Sequence, residues 1–290
     1  MSFLEIPPPF LFILVGLLGL SVGSFLNVVV YRLPVMMERD WRCQCREIMG
    51  LEEENGSAPA QPFNLMTPAS TCPHCGHAIR WWENIPLLGF LLLRGRCSGC
   101  RKPISPRYPI VEAITAILSL MVVWQLGPTL QAAALLPLTW ALIALTLIDI
   151  DHQLLPDSIT QPFLWLGLLL GIPAIFISAE QAILGATIGY LSLWSFYWLF
   201  KLVTGKEGMG YGDFKLLTLF GAWAGWQKVF TIILLSSLVG AFIGIALIVF
   251  KGHDKRKPIP FGPYLAIAGW IALLWGDRII GAYFALSGLS

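Results

Sequence analysis

Two groups of residues in this 290-residue chain have types and spacings that can do chemistry. The first is Cys72-Pro-His-Cys75 with Cys97-Ser-Gly-Cys100, two CxxC pairs with 21 residues between them. Each pair predicts a tight knuckle, and Gly76 and Gly99 suit sharp turns there. Two knuckles supply four thiolates, Cys72, Cys75, Cys97 and Cys100, for tetrahedral structural zinc, at a spacing just beyond the usual range. Four thiolates complete the shell, so His74 and His77 read as bystanders. A redox CxxC needs a thioredoxin-like strand–helix–strand setting, which is missing. Cys43 and Cys45 have no matching pair and read as free thiols on a mobile loop, beside the linker-like stretch Glu52–Pro62.

The second group is acidic. Leu147-Ile148-Asp149-Ile150-Asp151 closes one apolar run and Gly210-Tyr211-Gly212-Asp213 opens another. A carboxylate at membrane depth is costly and calls for a function. Two of them, Asp149 and Asp213, supply what a water-activating hydrolase requires: an ionised group to deprotonate water and a protonated one to donate to the scissile carbonyl. Gly210 and Gly212 let the backbone approach a substrate strand closely. The helix dipole favours an anion at Asp213, which starts a helix, over Asp149, which ends one, and so suggests base and acid respectively. Asp151, two residues from Asp149, faces elsewhere. Asp157 reads as the cap of the next helix. Glu112 reads as a first-turn acid of its own helix or as a residue lining the site. Gly19-Leu-Ser-Val-Gly23 matches a nucleophile elbow only in letters, since it lies inside an apolar run and not on a strand–turn–helix.

The elements that position these groups follow from composition. The chain is 56% hydrophobic and 12% charged, with mean hydropathy +0.71. Soluble domains are about 45–50% apolar and about 25% charged, so a soluble protein, a disordered chain and a disulfide-stapled scaffold are all excluded. The net charge of +2 gives no basis for binding nucleic acid. Charge is concentrated: residues 31–107 hold 10 of the 19 Lys and Arg, 7 of the 17 Asp and Glu, and all six cysteines. The remainder is long enough in apolar runs to cross about 30 Å of hydrocarbon repeatedly. Spans read as Phe10–Val30, Tyr108–Leu126, Leu130–Ile148, Pro162–Ser178, Gln181–Val203, Asp213–Gly225, Val229–Phe250 and one starting near Gly262. Counting the short Asp213–Gly225 run as a crossing puts Lys201, Lys206 and the Lys251–Lys257 cluster on the inside, as the positive-inside rule prefers. Residues 31–107, Asp149 and Asp213 then share the cytoplasmic face, where the reducing environment argues against disulfides.

The expected fold is therefore an all-α polytopic membrane protein. About eight transmembrane helices carry a small zinc-ribbon-like cytoplasmic domain inserted after the first: a first helix in 1–30, the four-cysteine domain in 31–107 and the main transmembrane domain in 108–290. Glycine pairs such as Gly19/Gly23 and Gly185/Gly189 read as helix-packing seams. Trp81, Trp82, Trp226 and Trp270 read as interfacial anchors.

Taken in order, these residues resemble the type IV prepilin peptidases, GxGD membrane aspartyl proteases. The resemblance rests on Gly23-Ser24-Phe25-Leu26-Asn27-Val28, Tyr31-Arg32-Leu33-Pro34, the cysteine pairs, Glu83-Asn84-Ile85-Pro86, Tyr108-Pro109-Ile110-Val111-Glu112, Asp149, Leu155-Pro156-Asp157, Gly210–Lys215 and Pro260-Phe261-Gly262-Pro263-Tyr264. It implies cleavage of basic leaders from prepilins and pseudopilins at the cytoplasmic face of the bacterial inner membrane, serving type IV pili and type II secretion. It also implies Asp149 and Asp213 as the catalytic pair, with Lys215 beside them, and methylation of the new N-terminal amine from S-adenosylmethionine. Partners would be the prepilins and the membrane lipid, with no nucleic acid. The alternative is a transporter whose aspartates bind protons or cations.

Overall fold

The computed structural model describes residues 7–50, 63–251 and 260–287. Among them the secondary structure is helical apart from two isolated β-bridges, so the expected all-α fold holds. The chain divides into two units after Pro128.

In the first unit, α1 (Pro8–Ile48) and α3 (Arg107–Leu126) flank the cysteine segment, which includes the short α2 (Leu88–Leu92). The prolines at the start of α1 suit a first helical turn, whose N–H groups need no intrahelical partner. The helix does not stop at Val30. It continues through Pro34 to Ile48, 41 residues in all. Met, Glu, Arg and Gln dominate this extension and are good helix formers, and Arg42 pairs with Glu38 one turn away at 2.5 Å. Cys43 and Cys45 are therefore exposed on the last turns of a helix, not on a mobile loop. The linker-like stretch and its Glu52, Glu53 and Glu54 lie outside the described residues. Gly19 and Gly23 bring α1 onto α3 at backbone range: a Cβ on either would lie 2.7 Å from Ala116 Cα or Glu112 Cα.

The second unit consists of α4 (Leu130–His152), α5 (Asp157–Gly171), α6 (Ala179–Thr204), α7 (Tyr211–Ala224), α8 (Trp226–Lys251) and α9 (Gly262–Ser287). Among the described residues, six helices, α1, α3, α4, α6, α8 and α9, are long and apolar enough to cross a membrane. The other two apolar helices are shorter, α5 with 15 residues and α7 with 14, and reach only about 22 Å at 1.5 Å per residue. The expected Pro162–Ser178 span is displaced accordingly: α5 starts earlier, directly after Pro156, and ends at Gly171, leaving Ser178 to cap α6 by accepting the Gln181 N–H.

A 14-residue helix is workable at membrane depth because protein, not lipid, surrounds it. Leu216, Leu217, Leu219, Phe220 and Ala222 of α7 have no exposed surface, and α5, α6, α8 and α9 all pack against it. Glycine makes that packing close. Gly221 lies against the Gly185 carbonyl, and a Cβ on Gly189 would sit 2.7 Å from the Leu217 carbonyl oxygen. Trp270 departs from its expected role as an interfacial anchor: it is buried, and its indole N–H donates to Thr139 Oγ1 at 3.0 Å, tying α9 to α4.

Candidate active site and cysteine cluster

The cysteine segment builds its cluster from two similar loops. Cys72 N–H donates to the His77 carbonyl and Gly76 N–H to the Cys72 carbonyl; in the second loop Cys97 N–H donates to Lys102 and Arg101 N–H to Cys97, all at 2.9 Å. A β-bridge closes each loop, Thr71 to Ala78 and Arg96 to Pro103. The turn after the second cysteine takes a left-handed backbone in both, Gly76 at φ +68° and Arg101 at φ +58°. Gly99 lies in the turn between the two cysteines but does not have a left-handed backbone. It leaves room for the neighbouring loop, since a Cβ there would lie 3.1 Å from His77 Cβ and 3.4 Å from Cys75 Sγ.

The four sulfurs lie within 4.8 Å of one another, with Cys72–Cys100 and Cys75–Cys97 each at 3.9 Å. A tetrahedral ion with metal–sulfur bonds of about 2.3 Å needs sulfurs about 3.8 Å apart, so this donor set could hold a metal ion with small side-chain adjustments. The His74 and Cys75 N–H groups pull the Cys72 thiol down to about 6, while burial and the neighbouring sulfurs push the Cys75 thiol up to about 11. His77 is no ligand, yet it is not idle: its Nε2 meets Ser98 Oγ at 2.9 Å and Glu83 Oε2 at 3.3 Å, linking the two loops. The Ser98 hydroxyl and the Arg80 N–H hold Glu83 below the usual carboxylate range.

Glu112 also belongs to the first unit. It is buried in the second turn of α3, not the first, and accepts the Leu87 N–H at 2.7 Å. Leu87 has a left-handed backbone, φ +57°, and the buried carboxylate gives that strained N–H its partner. Glu112 thus fastens the cysteine segment to a membrane helix.

The aspartates are assembled in the second unit from the ends of four helices. Asp149 lies near the end of α4, where Gln153 takes a left-handed φ of +55° and donates its N–H to the Asp149 carbonyl. Asp213 is in the first turn of α7; its N–H returns to the Gly210 carbonyl at 3.2 Å. Both side chains are buried, 6% and 7% exposed, although they are carboxylates, and they lie within electrostatic reach of each other. Leu155, in the α4–α5 turn, fills the space beside them. A Cβ on Gly212 would lie 2.9 Å from Leu155 Cβ, and one on Gly262, the first residue of α9, would lie 3.3 Å from Leu155 Cδ1. Gly212 is therefore needed for packing within the protein. Gly210 has ordinary space around it, the nearest atom to a Cβ being Asp213 Oδ2 at 3.9 Å.

The remaining acids separate by position. Asp151 is exposed, on a different face from Asp149. Asp157 does not cap α5 with its side chain. Instead both its oxygens accept from Lys215 Nζ, at 2.8 and 2.7 Å, tying the start of α5 to the start of α7. The loop before Gly210 is held by Lys201, which reaches Glu207 at 2.8 Å and the Tyr197 hydroxyl at 3.3 Å, while Tyr211 packs on Tyr197 and Phe214. Leu155 and Gly262 have no chemistry of their own to mark them in sequence, and the Tyr197 hydroxyl is one among many aromatic residues of its helix.

The dipole contrast expected between the two aspartates, at the end of α4 and the start of α7, is offset by a third helix. Asp149 closes α4, but its carboxylate lies against the start of α9, where a Cβ on Gly262 would be 2.5 Å from Oδ2. Both carboxylates thus face a helix N-terminus, so the dipoles do not tell acid from base.

A bacterial peptidase A24 N-terminal domain profile matches residues 17–126, and the type IV leader peptidase family profile matches residues 136–245. A protein of Stutzerimonas stutzeri is 57% identical over 282 residues, covering 97% of this chain and 96% of its own length. The chain belongs to the type IV leader peptidase family. Relatives from Pseudomonas aeruginosa, 59% identical over 94% of this chain and 93% of their own, and from Legionella pneumophila, 47% identical over 95% of each, carry the same name, prepilin leader peptidase/N-methyltransferase. No solved structure matches the chain. With family membership and six membrane-length helices, the chain is a multi-pass membrane enzyme of this class, and the transporter alternative has no support.

Proposed function

We propose that the chain removes the basic leader of prepilins and pseudopilins with Asp149 and Asp213 as its catalytic pair. The observation that carries this is the burial of two carboxylates, within electrostatic reach of each other, in the second unit, which has no other buried acid among its described residues. Such a pair holds one proton between its members. The ionised member takes a proton from water as the water oxygen bonds to the scissile carbonyl carbon; the protonated member gives its proton to the carbonyl oxygen. Collapse of the tetrahedral adduct breaks the C–N bond and sends a proton to the leaving amine. Coupled carboxylates titrate as a pair, and the two roles belong to the pair.

The positive-inside pattern supports placing this pair at the cytoplasmic face of the inner membrane. There it meets the boundary between a basic leader and the apolar helix that follows. Lys215 and Asp157 brace the two helix starts beside the pair. In the first unit, Cys72, Cys75, Cys97 and Cys100 would hold a structural zinc ion that fixes one loop against the other. The name shared by the relatives supports a second activity, methylation of the new N-terminal amine, for which S-adenosylmethionine is the donor class.

The test is to incubate the purified, lipid-reconstituted protein with a prepilin and an isotopically labelled methyl donor, and to weigh the product. The proposal expects loss of the leader and gain of one labelled methyl at the new N-terminus. An uncut prepilin overturns the peptidase reading; cleavage without label removes the methyl transfer alone.

A further inference from the structure

Gly262 has no side chain with which to do chemistry, yet its main chain abuts a reacting group. A Cβ at this position would fall 2.5 Å from Asp149 Oδ2, closer than real side chains come, and 3.2 Å from Asp149 Cγ, a tight contact. The backbone is not left-handed here, so glycine is present for space and not for conformation. The donors of the first turn of α9 are also accounted for. Pro263 has no N–H, and the Tyr264 and Leu265 N–H groups both go to the Phe261 carbonyl, at 3.1 and 3.2 Å. Asp149 is 6% exposed, and its Oδ2 is buried with no hydrogen-bond partner among the described residues.

We propose that Gly262 is a positioning residue for the peptidase: its bare main chain seats the Asp149 carboxylate on the first turn of α9 and leaves Oδ2 for the proton that the two aspartates share. A start of α9 with any side chain would push the carboxylate off this seat. The proposal rests on the reading of Asp149 as one of the catalytic aspartates. It makes α9, which contributes no acid to the site, its third wall.

Gly262→Ala in the full-length, reconstituted protein tests it. Misplacing a reacting group by about 1 Å costs on the order of 100-fold, so kcat for prepilin cleavage falls about that far while KM stays unchanged. Gly281→Ala, on the same helix where a Cβ meets nothing within 4 Å, keeps the wild-type kcat. A wild-type kcat in Gly262→Ala overturns the proposal, as does a raised KM with kcat retained, which would make Gly262 a substrate contact. A second measurement does not depend on how that variant folds. In glycine-selective 15N spectra, Asp149→Asn shifts the Gly262 amide and leaves Gly281 in place; an unmoved Gly262 amide overturns the seat. Cleavage by Asp149→Asn separates the two levels. If Asp149→Asn is inactive while Gly262→Ala is fully active, only the inference fails; if Asp149→Asn still cleaves, the catalytic pair fails with it.

Discussion

The four thiols of the first unit are gathered by two loops that each close on themselves within a few residues, whereas the two carboxylates of the second come from helix ends far apart in sequence. The thiol loops are set by hydrogen bonds between near neighbours, such as Cys72 to His77, and by left-handed turns at Gly76 and Arg101. The carboxylates are set by whole helices meeting through glycine, Gly212 and Gly262 on either side of Leu155 and Gly221 on Gly185. The lesson is that local geometry can be tuned by local residues, while the aspartate site inherits its precision from packing elsewhere in the bundle. The thiol cluster should therefore fail locally, and the aspartate site should fail either at its own atoms or with the bundle.

The largest effect is expected at the carboxylates. Asp149→Asn and Asp213→Asn each lower prepilin cleavage by at least about 10³-fold while the helical circular dichroism and melting temperature stay at wild-type values. Activity within a few-fold of wild type in either variant breaks the account. Next comes the seam. Gly221→Val drives a side chain into the Gly185 main chain and should cost about 3 kcal/mol or more, read as a lowered melting temperature with loss of cleavage, although residue 221 touches no substrate. A smaller, confined effect is expected in the first unit. Cys97→Ser, or a strong chelator, removes bound metal as read by elemental analysis and raises hydrogen exchange in residues 70–104, while exchange in α7 is unchanged. If α7 loosens together with the cysteine loops, the contrast between local and distributed failure is wrong. The smallest effect belongs to the exposed Lys215–Asp157 pair. Exposed ion pairs are worth about 0.2–1 kcal/mol, so Lys215→Met should reduce cleavage by no more than about fivefold; a complete loss would move Lys215 into the chemistry.

The same contrast explains what could be read from the sequence. The thiol cluster was legible from spacing because a CxxC loop carries its own geometry, although the exchange of roles between Gly99 and Arg101 was not: a left-handed arginine has no compositional mark. The aspartates stood out because charge is scarce in apolar runs, and their bringing together by helix ends followed from topology. What surrounds them was illegible. Leu155 and Gly262 matter through contacts between helices, which no periodicity along one helix reveals. The short α7 was legible as the apolar run Asp213–Gly225, but its enclosure by four other helices was not. The extension of α1 to Ile48 was missed because cysteines beside an acidic stretch suggest coil, while the intervening Met, Glu and Arg favour helix.

The central claim is that Asp149 and Asp213 together activate a water molecule against the leader's last peptide bond. A single turnover of prepilin in 18O-water tests it most directly, with the released leader weighed before exchange. The account predicts one 18O in the new carboxyl terminus of the leader and none in either aspartate. A leader that emerges from the first turnover without 18O, its oxygen drawn from Asp149 or Asp213, would contradict it.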